Sequence, residues 1–80
     1  MAKELWWLDF VDDGGHLLGA SVVYAGSIAE AAKEAHRLGI NPGGTVVAMD
    51  IADIPADMIN RFTPVQELVD RGLVRPTKAT

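Results

Sequence analysis

The sequence predicts an α+β domain: a three-stranded sheet in β-β-α-β order, followed by one or two short C-terminal helices. Three observations predict it. Two apolar, strand-prone runs flank Asp12-Asp13-Gly14-Gly15, whose glycines supply the positive φ angles that tight hairpin turns need. Ser27 and Glu30 form an S-x-x-E capping box ahead of an alanine-rich stripe, which marks a helix start. Asn41-Pro42-Gly43-Gly44 then precedes a third β-branched run, with proline and glycine placed as a type II turn requires.

The first strand reads from Glu4 to Val11 and is rich in aromatic and aliphatic residues, with Trp6 and Trp7 adjacent. The second runs from His16 to Ala25, where Val22, Val23 and Tyr24 favour extended backbone. In the helix, Ile28, Ala31, Ala32, Ala35 and Leu38 recur at spacings of three and four and make one apolar stripe. Gly39 suits the left-handed position beyond a helix end, and Ile40 can fold back on the last turn. The third strand covers Thr45 to Ile51. Asp53-Ile54-Pro55 opens a short helical segment to about Arg61. Thr63 then caps a second helix, with Pro64 first and Gln66 third, ending near Arg71 before Gly72. A right-handed crossover sets the third strand parallel to the second. The spatial order is then 3-1-2, similar to half of a ferredoxin-like fold. Residues 1–73 read as one domain and 74–80 as a flexible tail.

Strand alternation assigns Trp6, Leu8 and Phe10 to one face and Leu5, Trp7, Asp9 and Val11 to the other. The same rule sets Leu18, Ala20, Val22 and Tyr24 against Leu17, Gly19, Ser21, Val23 and Ala25, and Val47, Met49 and Ile51 against Val46, Ala48 and Asp50. The first set of each strand is expected under the long helix. The second is also largely apolar, so something must cover Leu5, Trp7, Leu17, Val23 and Val46. Either the C-terminal segments with Ile54, Met58, Ile59, Phe62, Val65 and Leu68 fold across it, or another chain does. The favoured reading is a second copy, with these five residues as the interface. On that reading Trp7→Ala weakens assembly more than it destabilises the fold.

Composition supports the same view. Hydrophobic residues make up 49% of only 80, and mean hydropathy is +0.14. So small a domain has few interior positions for them. The net charge is −4, and residues 1–70 carry eleven acids against four bases. Such a body repels phosphate backbones and disfavours direct nucleic-acid binding. The absence of cysteine excludes disulfides and thiolate metal sites. No signal-peptide pattern opens the chain and no stretch approaches the roughly 20 apolar residues of a membrane helix, so the expected location is cytoplasmic.

No residue set points to catalysis, a cofactor or a metal. Asp12 and Asp13 adjoin turn glycines, where aspartate serves local hydrogen bonding. An antiparallel pairing of strands one and three separates Asp9 from Asp50 by about 13 Å, beyond the roughly 5–9.5 Å of glycosidase carboxylates. His16 and His36 lack partners at metal-ligand spacing. Ser27 is a cap, and Ser21 lacks a nucleophile-elbow context. Gly43-Gly44 precedes a strand rather than an anion-binding helix start.

The segments Trp7-Leu8-Asp9-Phe10, Leu18-Gly19 and Leu38-Gly39-Ile40-Asn41-Pro42-Gly43-Gly44 resemble small bacterial and phage proteins that share a tryptophan-containing first strand and an L-G-I-N-P-G-G segment after a helix. The resemblance spans about residues 5–50 and implies a bacterial or phage origin, with no assigned activity. The expected function is a non-enzymatic protein–protein interaction module that self-associates as a homodimer through an apolar sheet face. The alternative is a small acidic phage-type inhibitor of a bacterial defence or nucleic-acid-handling complex.

Overall fold

The computed structural model describes residues 3–49 and 53–73. Strands β1 (Glu4–Val11), β2 (Leu17–Ala25), β3 (Thr45–Met49) and β4 (Phe62–Pro64) form one antiparallel-paired sheet in the order β3-β1-β2-β4. Helix α1 (Ile28–Arg37) connects β2 to β3, a 3-10 turn spans Ala56–Met58, and helix α2 (Val65–Asp70) follows β4. The expected 3-1-2 core is present, and β3 runs parallel to β2 with β1 between them. Among the described residues the sheet has four strands rather than three. The expected tail, residues 74–80, lies outside the described residues, as do residues 50–52, on which the expected end of the third strand falls.

Local chemistry explains the turns. Asp12 Oδ1 accepts from the backbone N–H groups of Gly14 and His16, each at 2.9 Å, and Gly15 takes φ 83°. In α1, Ser27 Oγ accepts from the Glu30 N–H while Glu30 Oε1 accepts from the Gly26 N–H at 2.8 Å. The helix ends with Gly39 at φ 75° and the Ile40 N–H donating to the Ala35 carbonyl at 2.9 Å, which satisfies an orphan carbonyl. Ala31 and Ala35 are buried on the sheet, whereas Ile28 stands 44% exposed off the expected stripe.

The C-terminal segments depart from expectation. Between Asp53 and Arg61 only Ala56–Met58 is helical, because Asn60 turns the chain at φ 62° and donates its N–H to the Val22 carbonyl at 2.6 Å. Residues Phe62–Pro64 then pair with Gly19–Ser21. Thr63 belongs to this strand and Pro64 takes the cap position of α2, so the expected capping box does not form. Helix α2 ends as expected, with Arg71 as its last cap and Gly72 at φ 72°.

Two apolar clusters sandwich the sheet. Against α1 lie Leu8, Phe10, Val23 and Ala25, with Trp6, Leu18, Val46, Ala48 and Phe62 packed alongside. Against the C-terminal segments lie Trp7, Ala20, Val22, Met58 and Leu68, with Leu5, Leu17, Ile54, Ile59 and Leu73. The assignment of β1 agrees with its alternation. Those of β2 and β3 need correction. Val11 pairs with Leu17 but Phe10 pairs with Gly19, so Leu18 is an extra residue in a bulge. A bulge inverts the facing of everything beyond it. Leu17 and Leu18 therefore face as expected, while Ala20 and Val22 exchange sides with Val23 and Ala25. In β3, Phe10 pairs with Val46 and Leu8 with Ala48. Cross-strand partners share a face, which brings Val46 and Ala48 to α1 and leaves Val47 opposite. Phe62 also joins the α1 side, its ring 6.5 Å from that of Phe10, rather than crossing the second face.

Candidate functional site

The protein's own C-terminal segments cover the second face. Trp7 is 2% exposed and Met58 and Leu68 are fully buried. A network of opposite charges pins this cover. Arg71 donates to both Asp57 carboxylate oxygens, at 2.9 and 3.0 Å, and to Glu67 at 3.2 Å, while Arg61 pairs with Glu67. The Arg71 guanidinium holds the Asp57 carboxyl below its ordinary range.

The five residues expected at an interface therefore separate. Leu5, Trp7 and Leu17 lie under the C-terminal cover, while Val23 and Val46 lie in the α1 cluster. Trp7 and Val23 are buried within the chain, and Leu5, Leu17 and Val46 are half-buried. The cue to this arrangement was present in Ile54, Met58 and Leu68, whose apolar spacing supplies the cover. The bulge at Leu18 has no comparable signal beyond Gly19.

Groups with chemical potential are dispersed. His16 is exposed at the hairpin turn, its Nδ1 3.5 Å from Asp12 Oδ1, and His36 is exposed in the last turn of α1. Ser21 is buried and donates to the Ile40 carbonyl at 2.6 Å. Among the described residues no three His, Asp or Glu side chains gather where a metal could be held. A shallow groove of about 250 Å³ between β2 and α1 is lined by Lys3, Tyr24, Ala25, Glu30, Lys33, Glu34 and Arg37. Its charges are mixed, and Glu30 and Glu34 are already engaged by the Gly26 N–H and by Arg37. Among the described residues no helix is long and apolar enough to cross a membrane.

The exposed apolar feature with a defined geometry is the sheet margin at β3. Its inner side pairs with β1 from Thr45 to Met49 in regular register, and among the described residues β3 ends the sheet order. Protein sheets blunt such margins with lysine, proline, bulges or very short strands. Thr45-Val46-Val47-Ala48-Met49 carries no charge and no proline. The opposite margin is guarded: β4 has three residues, ends in Pro64 and passes directly into α2. Val47 is 43% exposed. Its neighbour across the pair is Asp9, which is half-buried and accepts a hydrogen bond from the Trp7 indole at 2.7 Å. Burial raises the Asp9 carboxyl above its ordinary value, against the opposing pull of that hydrogen bond.

No protein-family model, curated protein or solved structure matches the chain.

Proposed function

We propose that the protein is a non-enzymatic interaction module that associates with a second copy of itself, and that the contact is the β3 edge rather than the face of the sheet. The β3 edge, unguarded among the described residues, carries this reading. An uncharged strand at the margin of a sheet is a template for another strand. The apolar composition adds support, since the chain's own cover accounts for the second face but leaves Val47 in solvent. Edge pairing over five residues buries far less than the roughly 1,200–2,000 Å² of a standard stable interface. The association is accordingly weak, with a Kd of roughly 10–100 µM.

Sedimentation equilibrium across that range tests the reading. Wild type should shift from monomer to dimer. Val47→Lys puts a charge on the edge, where natural sheets use lysine to prevent pairing, and should raise the Kd by about tenfold or more. A wild-type protein that stays monomeric at several times the top of that range overturns the proposal.

A further inference from the structure

We propose that residues 53–73 form a lid that leaves the sheet in a single step, while β1, β2, β3 and α1 stay folded. The charges of the cover tie its parts to one another rather than to the sheet. Arg71, in the last turn of α2, bonds Asp57 of the 3-10 turn, 14 residues away in the chain. Arg61 and Arg71 both bond Glu67. Among the described residues no ion pair runs from this segment to β1, β2, β3 or α1. The Asp57–Arg71 tie closes a loop that contains β4, so the turn, β4 and α2 dock and release together.

Attachment to the sheet is of another kind. Met58 and Leu68 bury apolar surface against Trp7, Ala20 and Val22. Backbone bonding adds the short ladder of Phe62–Pro64 on Gly19–Ser21 and the Asn60 N–H on the Val22 carbonyl. The β1–β2 ladder, from Glu4 to Val11, is far longer. Docking also carries costs that release removes. It holds Asn60 at φ 62°, a sparsely allowed region for a residue with a side chain. It buries the Thr63 hydroxyl, whose Oγ1 has no hydrogen-bond partner among the described residues. The body keeps a core of its own: Leu8, Phe10, Val23, Ala25, Ala31 and Ala35 pack between the sheet and α1, and the lid supplies Phe62 alone to that cluster among the described residues. A helix as short as α2 does not persist by itself in water, so the released lid also loses its internal hydrogen bonds. Release bares Leu5, Trp7 and Leu17.

Amide hydrogen exchange of the whole chain in sub-denaturing urea, below the dimer Kd, tests the lid. The amides of Asn60, β4 and α2 should follow one opening, about tenfold or more as frequent as the opening that exposes α1 and the β1–β2 ladder. Ala35→Gly weakens α1 within the body and should speed exchange there by about fivefold or more, while lid amides stay within about twofold of wild type. Met58→Ala, in the 3-10 turn, should raise the lid opening by about tenfold or more at Asn60 and α2 alike. A single opening shared by lid and body, with Ala35→Gly acting equally on both, overturns the proposal. So does a Met58→Ala effect at Asn60 that does not reach α2. Neither result bears on the β3 edge, which the sedimentation experiment tests separately.

Discussion

The Trp7 indole donates its N–H to Asp9 Oδ1 at 2.7 Å, two residues along the same strand and on the same face. The ring body is buried beneath Met58 and Leu68 while its polar edge reaches the half-buried carboxylate beside Val47. A buried indole N–H without a partner would cost about 1–3 kcal/mol, so Asp9 completes the burial of Trp7. The carboxylate is itself partly desolvated in return, and its pKa rises.

Asp9→Asn should therefore stabilise the fold at neutral pH. The asparagine oxygen still accepts from the indole, and the desolvated charge is gone. With a raised folded pKa, Asp9 binds protons more readily folded than unfolded at pH values above its ordinary 3.8. It thus contributes stability at low pH that is lost as pH rises through the raised value. Asp12, Glu34 and Asp57 act in the opposite sense. Backbone hydrogen bonds led by His16 lower Asp12, and Arg37 and Arg71 lower Glu34 and Asp57. Their contributions are present above the ordinary values and lost as pH falls through the lowered ones. Urea midpoints of Asp9→Asn and wild type should differ at pH 7 and converge below pH 3.8. An unchanged difference across that range refutes the role given to Asp9.

Trp7→Ala should act on folding rather than on association. The ring is 2% exposed within one chain, and truncating a buried tryptophan costs about 3–5 kcal/mol. A domain of this size holds only about 5–15 kcal/mol in total. Denaturant midpoints should fall sharply, while any dimer Kd measured below the unfolding transition should stay within about twofold of wild type. This is the reverse of what the open-face reading of the sequence requires.

Local signals carried most of the fold. The Ser27 box, the turn glycines and the Gly39-Ile40 ending each act within a few residues, so they could be read in sequence. Opposite faces for Trp6 and Trp7 followed from alternation alone. Facing beyond Leu18 did not, because a bulge is set by how two strands pair. Strand β4 escaped for a related reason. Phe62-Thr63-Pro64 resembles a helix start, and only the free edge of β2 draws it into the sheet. The expected interface misplaced Val23 and Val46 through the same facing error. The uncharged run of β3 was legible in composition, but its place at the margin of the described sheet is set by topology.

Gly19→Ala should loosen β4. A Cβ at this position would lie 2.5 Å from the Phe62 ring and closer still to the Thr63 carbonyl oxygen. Backbone cannot retreat there without breaking the Gly19–Pro64 and Ala20–Thr63 pairings. Overpacking of this kind costs about 1–3 kcal/mol. Faster exchange at the β4 amides should accompany the lower midpoint, with α1 amides comparatively unaffected. Uniform loss of protection would argue against a local clash.

Thr63→Val separates two roles for one hydroxyl by the sign of its effect. As a helix cap, Thr63 would accept from the first turn of α2, and its loss would cost about 1 kcal/mol. In the structure it is fully buried in β4, its Oγ1 has no hydrogen-bond partner among the described residues, and Pro64 holds the cap position. A buried hydroxyl without a partner is a net cost of about 1–3 kcal/mol. Valine has nearly the same shape and suits a strand better. The variant should therefore raise the urea midpoint, by an amount matching about 1 kcal/mol or more. A drop of similar size would restore Thr63 to the cap and remove β4 from the sheet.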